Sequence, residues 1–171
     1  MATTKGRVYW ITGLAGAGKT TVGTKLFEKL KNKKSNVIRL DGDNLREVFQ
    51  NHDYSYEGRK QLGFQYSRLC KMLSEQNIDV VMCTIVMYDD VRAWNRANIA
   101  DYVEIYLEVE LEELIRRDQK GIYTRALSKD EKEVAGMNMK TELPKQPDLI
   151  IKNYGDISPD DALKMIEERF L

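Results

Sequence analysis

The sequence has few of the residues from which zinc sites, disulfide frameworks and histidine catalysis are built. It contains only two cysteines, Cys70 and Cys83, and one histidine, His52. The cysteines lie in apolar surroundings without a CxxC spacing, and His52 stands in a polar stretch. These features exclude a cysteine–histidine metal site, predict reduced thiols in the core, and make His52 a solvated residue rather than a catalytic one.

The sequence also has no excess of charge and no long hydrophobic run. Its 27 basic residues balance 27 acidic ones. Nothing in this balance favours a nucleic-acid or membrane partner, so a small phosphate-bearing substrate is expected. The apolar stretch of five residues before Gly13 is too short for a signal peptide or a membrane span. We therefore expect a cytoplasmic protein.

Length and hydrophobic periodicity predict one α/β domain over residues 1–171. The length of 171 residues with 42% hydrophobic content suits a single globular unit. Short β-rich runs alternate with helical patterns, which predicts a parallel sheet with helices on both faces, a three-layer arrangement. The predicted strands lie at residues 8–11, 37–40, 79–84, 103–109 and 149–151. The long polar segment 118–147 predicts a lid.

A phosphate-binding loop stands between the first predicted strand and helix. Residues 13–20 read Gly-Leu-Ala-Gly-Ala-Gly-Lys-Thr and match GxxxxGK[ST] in the context that this motif requires. Backbone N–H groups and the helix N-terminus would surround the phosphates of ATP, Lys19 would bridge its terminal phosphates, and Thr20 would bind Mg²⁺. The predicted ATP-binding residues are Gly13, Ala15, Gly16, Ala17, Gly18, Lys19, Thr20 and Thr21, together with Arg117.

A carboxylate site is predicted at the end of the second strand. Asp41 follows that strand directly and should project at the carboxyl edge of the sheet, where ligands of open α/β sheets bind. It is predicted to be catalytic, either by accepting the proton of the attacking hydroxyl or by holding Mg²⁺. Asp43 and Arg46 lie on the same turn, and Arg46 suits an acceptor phosphate. The alternative for both aspartates is a capped turn without a catalytic role.

Arg117 is predicted to act from the lid. It ends the helical pattern after the fourth strand and enters segment 118–147. A cation there would stabilise charge on the transferred phosphoryl group, and closure would exclude water. The alternative is that a basic residue simply favours a helix C-terminus.

The sequence resembles the adenylyl-sulfate kinases in three motifs. These are residues 13–21, the Leu-Asp-Gly-Asp-Asn-Leu-Arg of residues 40–46, and the Arg-Asp-Gln-Lys-Gly-Ile-Tyr of residues 117–123. The resemblance implies the P-loop NTPase fold with a five-stranded parallel sheet, a homodimer, and attack by a ribose 3′-hydroxyl on the γ-phosphate of ATP. It assigns Asp41, Asp43, Arg46, Arg59 and Lys120 to acceptor binding, with Arg117 and Lys120 in the lid.

The departures from this family pattern concentrate on the acceptor side. Leu62 and Gln65 stand where the family has an Asn and Arg pair, and Val86-Met87 replaces a Ser-Pro, which excludes a phosphoserine there. Val134 replaces the phenylalanine that stacks on the acceptor adenine. Ile85 and Val134 are still predicted to line the acceptor site.

These substitutions leave the acceptor open between two nucleotides. They favour the related cytidine diphosphoramidate kinases of capsular polysaccharide modification, because the smaller pyrimidine fits a pocket without the stacking ring. Adenylyl sulfate, the acceptor of sulfate assimilation, is the alternative. A nucleoside monophosphate or small-sugar kinase and a non-catalytic ATP-binding switch are further alternatives.

Overall fold

The chain forms one parallel sheet covered by helices on both faces. The computed structural model describes residues 4–118, 121–128, 134–137 and 139–171. The strands are β1 (Val8–Thr12), β2 (Val37–Asp41), β3 (Asp79–Thr84), β4 (Tyr102–Glu108) and β5 (Leu149–Lys152). The helices are α1 (Lys19–Lys31), α2 (Gly42–Val48), α3 (Tyr56–Glu75), α4 (Asp89–Asn98), α5 (Leu111–Arg117), α6 (Ile122–Leu127) and α7 (Pro159–Phe170).

The five strands lie in the order β2-β3-β1-β4-β5 and every pairing is parallel. The predicted α/β fold with a five-stranded parallel sheet is therefore confirmed. Thr12 at the end of β1 pairs with Thr84 at the end of β3, and Asp41 at the end of β2 pairs with Cys83. The register thus brings the segments after these strands together at one edge of the sheet.

Each face of the sheet has its own hydrophobic core, because successive residues of a strand point to opposite faces. In β1, Tyr9 and Ile11 pack into the core that also contains Leu26 of α1 and Ile166 of α7. Val8 and Trp10 pack into the opposite core beneath α3 and α4. Both cores extend along the sheet and hold the phosphate loop and the β2–α2 turn in fixed positions.

Two helices were not predicted from the sequence. Helix α4 follows β3, and α6 lies inside the segment predicted as a lid. Cys70 and Cys83 are both free and buried, which confirms the predicted core thiols. Within the described part of the chain, no helix has both the length and the apolar character needed to cross a bilayer.

Candidate active site

The phosphate loop has the conformation that its glycines permit. Gly16 and Gly18 have φ angles of 77° and 91°, in the left-handed region that favours glycine. At Gly18 an added Cβ would lie only 2.6 Å from Nδ2 of Asn153, and at Gly13 only 2.7 Å from the carbonyl oxygen of Leu107. Side chains at these glycines would therefore displace the loop or its neighbours.

The loop and strand β2 bring a hydroxyl and a carboxylate into contact. Thr20 Oγ1 donates to Asp41 Oδ2 at 2.8 Å. The other carboxylate oxygen of Asp41 accepts from the backbone N–H of Asp43 at 3.1 Å, so Asp41 is the N-cap of α2. The helix cap thus orients Asp41 toward the loop, and Lys19 Nζ lies within the loop, donating to the Leu14 carbonyl at 2.7 Å.

Thr20 and Asp41 offer the kind of ligand atoms that Mg²⁺ prefers. Both supply oxygen, and Mg²⁺ at nucleotide sites keeps several waters and binds one or two protein groups plus substrate phosphates. Among the described residues, no group of three or more His, Cys, Asp or Glu side chains is arranged to hold a metal ion. The donor set of Thr20 and Asp41 fits a Mg²⁺ that takes its remaining ligands from nucleotide phosphates and water.

A cavity of about 420 Å³ opens at this edge of the sheet, between the phosphate loop and the segments that follow β2 and β3. Most of the residues predicted from the sequence line it. They are Ala15, Gly16, Gly18, Lys19, Thr20 and Thr21 on the donor side, and Asp41, Asp43, Arg46, Arg59 and Ile85 on the acceptor side. The fold therefore brings both predicted halves to one chamber.

Some predicted residues do not line the cavity. Ala17 is fully buried, and its N–H donates to the Leu14 carbonyl at 3.1 Å. Gly13 packs against Leu107 behind the loop. The side chain of Val134 is only 4% exposed and belongs to the core, whereas its neighbour Ala135 lines the cavity. Direct ligand contacts by these three residues stay predictions, and Lys120 lies outside the described residues.

Arg117 contacts the phosphate loop from outside the cavity. Its guanidinium donates to the carbonyl of Gly16 at 3.2 Å, to the carbonyl of Asn153 at 2.8 Å and to Glu113 at 2.8 Å. Hydrogen bonds from Arg116 and Arg117 hold the pKa of Glu113 well below its usual range, at about 2. Arg117 is thus fixed against the loop backbone, and a contact with the transferred phosphoryl group stays a prediction.

The acceptor side of the cavity carries two arginines around one aromatic ring. The guanidinium of Arg46 lies 4.3 Å from the ring centroid of Tyr54, and that of Arg59 lies 5.4 Å from it. Arg59 Nε also donates to the Tyr54 carbonyl at 2.7 Å, and Arg46 donates to the Asp53 carbonyl at 3.0 Å. This arrangement presents planar cations and a π face, groups suited to the anionic part and the base of a nucleotide.

An apolar wall also borders the cavity. Leu62, Val86 and Met87 line it, together with Met139, which follows helix α6 in the segment predicted as a lid. Leu62, Val86 and Met87 occupy positions at which the sequence departs from the adenylyl-sulfate kinase motifs. The structure therefore places these three substituted positions together in the lining of the cavity.

The sequence did not indicate two residues that contact the phosphate loop. Tyr123 donates its hydroxyl to the Ala15 carbonyl at 2.7 Å, and Asn153 donates from Nδ2 to the Ala17 carbonyl at 2.7 Å. Tyr123 is the last residue of the motif at residues 117–123, and its place in that motif was the available sequence indication of a role. Asn153 follows β5 without any local pattern to mark it.

Comparison with known proteins gives the family. A family model described as adenylylsulphate kinase matches residues 5–152. The chain belongs to the adenylylsulphate kinase family. The chain is therefore a phosphotransferase, as the phosphate loop predicted, and residues 5–152 include every described residue that lines the cavity.

Within this family the chain is similar both to a cytidine diphosphoramidate kinase and to adenylyl-sulfate kinases. It is 43% identical over 159 residues to a cytidine diphosphoramidate kinase of Campylobacter jejuni, covering 93% of each chain. It is 33% identical over 168 residues to an adenylyl-sulfate kinase of Halothermothrix orenii, covering 98% of this chain and 91% of that one. The solved APS kinase of Mycobacterium tuberculosis in complex with AMPPNP and APS superposes with a TM-score of 0.86 at 27% identity, covering 97% of this chain and 98% of that one.

Proposed function

We propose that this kinase transfers the γ-phosphate of ATP to the ribose 3′-hydroxyl of cytidine diphosphoramidate. The observation that carries the proposal is the apolar acceptor wall of Leu62, Val86 and Met87, in which Leu62 and Val86 replace the asparagine and serine of the adenylyl-sulfate kinase pattern. The identity of 43% to the Campylobacter jejuni cytidine diphosphoramidate kinase, against 33% to the Halothermothrix orenii adenylyl-sulfate kinase, supports the same acceptor.

On the donor side, the loop would bind the phosphates of ATP. Backbone N–H groups of Gly16 and Gly18 and the N-terminus of α1 offer partial positive charge, and Lys19 supplies a full one. Thr20 and Asp41 would hold Mg²⁺, directly or through water, and this ion would neutralise charge on the β- and γ-phosphates when bound. This arrangement stabilises the charge that develops as the phosphoryl group leaves ADP.

In the transfer, a bond forms between the acceptor O3′ and the γ-phosphorus while the bond from that phosphorus to the bridging oxygen of ADP breaks. The hydroxyl proton must leave O3′, and Asp41 is the carboxylate that lines the cavity beside the phosphate loop. Asp41 would therefore act as the base or through its contact with Mg²⁺. Both roles require the ionised carboxylate.

On the acceptor side, Arg46 and Arg59 would bind the anionic diphosphoramidate group, because guanidinium forks pair with phosphate oxygens. Asp43, Ile85 and Lys120 would complete the acceptor site, and Arg117 would stabilise the transition state after rearrangement of its present contacts. Leu62, Val86 and Met87 would enclose the base or ribose without a hydrogen bond.

Adenylyl sulfate is the second candidate acceptor. The observation that favours it is the superposition on the Mycobacterium tuberculosis APS kinase, solved with APS, over 97% of this chain. With this acceptor the product would be 3′-phosphoadenylyl sulfate, and the apolar wall would face the adenine or the sulfate.

We propose further that the chain is a single kinase domain over residues 1–171, that it acts as a homodimer, and that it works in the cytoplasm without a nucleic-acid or membrane partner. The free buried Cys70 and Cys83 support a reducing compartment. Sedimentation equilibrium tests the dimer: a single species of twice the chain mass supports it, and a monomer contradicts it.

The proposed transfer is tested by acceptor-dependent ADP release from MgATP, followed by phosphorus NMR of the product. A new phosphate monoester on the ribose 3′ carbon supports the proposal. ADP release at the same rate with and without acceptor would instead indicate a nucleotide-hydrolysing switch.

A further inference from the structure

Side chains hold four of the backbone carbonyls of the phosphate loop. Four consecutive carbonyl oxygens, those of residues 14–17, each accept a side-chain hydrogen bond. Lys19 donates to the carbonyl of residue 14 at 2.7 Å and Tyr123 to that of residue 15 at 2.7 Å. Arg117 donates to the carbonyl of residue 16 at 3.2 Å and Asn153 to that of residue 17 at 2.7 Å. Lys19 belongs to the loop itself, whereas the other three donors reach it from distant parts of the chain.

These hydrogen bonds fix the direction of the loop amides. In a planar trans peptide, the carbonyl of one residue and the N–H of the next point in opposite directions. A carbonyl held against the protein therefore aims the following N–H away from it. Gly16 and Gly18, whose N–H groups follow the carbonyls of Ala15 and Ala17, both line the cavity. The donors to those two carbonyls, Tyr123 and Asn153, thereby control the phosphate-facing amides.

The glycines make such control necessary. A glycine occupies positive and negative φ at similar cost, so the peptide planes next to Gly16 and Gly18 turn over easily when nothing holds them. A turned peptide would present a carbonyl oxygen to the phosphate oxygens, which is repulsive. Holding each carbonyl therefore organises the loop before the nucleotide arrives, which reduces the ordering cost of binding.

The three distant donors form one connected support. Arg117, at the end of α5, donates to the Asn153 carbonyl at 2.8 Å as well as to the loop. Asp118, the next residue, accepts from the backbone N–H of Tyr123 at 2.9 Å. Tyr123 and Asn153 are only 1% and 7% exposed. Burial raises the pKa of Tyr123 to about 12, so its hydroxyl keeps its proton at physiological pH.

We propose that Tyr123 and Asn153 are positioning residues that hold the phosphate loop in its nucleotide-binding conformation. This inference rests on the proposed binding of ATP to the loop and extends it to residues outside the motif. Arg117 links the two residues and connects helix α5 with the loop. Neither Tyr123 nor Asn153 lines the cavity, so each acts on the nucleotide through the loop backbone.

The test is the affinity for AMPPNP with Mg²⁺, measured by calorimetry on the full chain. Tyr123→Phe removes one hydroxyl and keeps the ring, so the fold should persist. Loss of one hydrogen bond predicts a Kd about three- to tenfold higher, and Asn153→Ala predicts a similar increase. The matched control is Tyr154→Phe, which removes a hydroxyl that donates to Glu110 at 3.2 Å and touches no loop carbonyl.

The kinetic constants separate positioning from general destabilisation. In Tyr123→Phe, the KM for ATP should rise with the Kd while the KM for the acceptor stays at the wild-type value. Wild-type AMPPNP affinity in both variants would overturn the inference, and so would equal rises in both KM values. A wild-type chain that does not bind AMPPNP would contradict the proposed function itself.

Discussion

Asp41 combines a structural role with the proposed chemical role in one carboxylate. One oxygen caps helix α2 through the N–H of Asp43, and the other accepts from Thr20. Its side chain is 14% exposed, and Arg39 lies 3.6 Å from it. The capped turn and the catalytic carboxylate, which the sequence presented as alternatives, are therefore compatible in the same residue.

Asp41→Asn is expected to lose turnover while keeping nucleotide affinity. Asparagine caps a helix as well as aspartate does, so α2 should remain in place. The substitution removes the negative charge needed for a base or a Mg²⁺ ligand, and kcat should fall by about 100-fold or more. Steady-state kinetics measure the change, with Asp160→Asn on the surface as the matched control. Full turnover in Asp41→Asn would exclude Asp41 from the chemistry.

Lys19→Ala is expected to reduce kcat/KM by about 100-fold or more, because it removes the cation proposed to contact the terminal phosphates of ATP. ADP release under acceptor saturation measures the loss. Lys25→Ala provides the control, since Lys25 lies on the same helix, pairs with the exposed Asp160 of α7 and does not line the cavity. Equal activity of the two variants would contradict the proposed phosphate contact.

At the scale of the elements, hydrophobic periodicity predicted all five strands but not every helix. Helix α4 was missed because it buries Arg92 and Asn95 beside Val91, and polar residues give no apolar stripe. Helix α6 was missed because its six residues make too short a pattern within a polar segment. Hydrophobic periodicity detects a helix only when its buried positions are apolar and repeat over several turns. Helix α4 lacks the first property and helix α6 lacks the second.

Helix α7 begins with a capping motif whose contribution to stability can be measured. Ser158 and Asp161 form a reciprocal capping box, with Pro159 in the first turn. Ser158→Ala should lower the free energy of unfolding by about 1 kcal/mol, since an N-terminal N–H loses its acceptor. Urea denaturation measures this change, with exposed Ser35→Ala as the control. AMPPNP affinity should not change, because Ser158 does not line the cavity. A urea denaturation midpoint equal to that of the wild type would contradict a contribution of the cap to stability.

At the scale of the whole molecule, the site was predictable only where its residues share a motif. The phosphate loop and the residue pair Asp41 and Arg46 follow patterns that are local in sequence. Tyr123 and Asn153 lie 108 and 136 residues from the carbonyls that they hold. Such contacts depend on how the strands are ordered in the sheet, which local spacing does not encode.

The two thiols provide a test of the core on both sides of the sheet. Burial raises the pKa values of Cys70 and Cys83 to about 12, from an ordinary value near 9. Neither native thiol should react with a disulfide reagent at pH 8, and both should react after unfolding. Between about pH 9 and 12 only the unfolded thiols ionise, so stability should fall as the pH rises. Rapid labelling of the native chain would contradict this packing.

The identity of the acceptor is tested most directly by comparing two acceptors on one enzyme. We would measure kcat/KM for cytidine diphosphoramidate and adenylyl sulfate in parallel, at saturating MgATP. The apolar wall of Leu62, Val86 and Met87 predicts a higher value for the cytidine compound. A higher value for adenylyl sulfate would contradict this account and place the chain in sulfate activation.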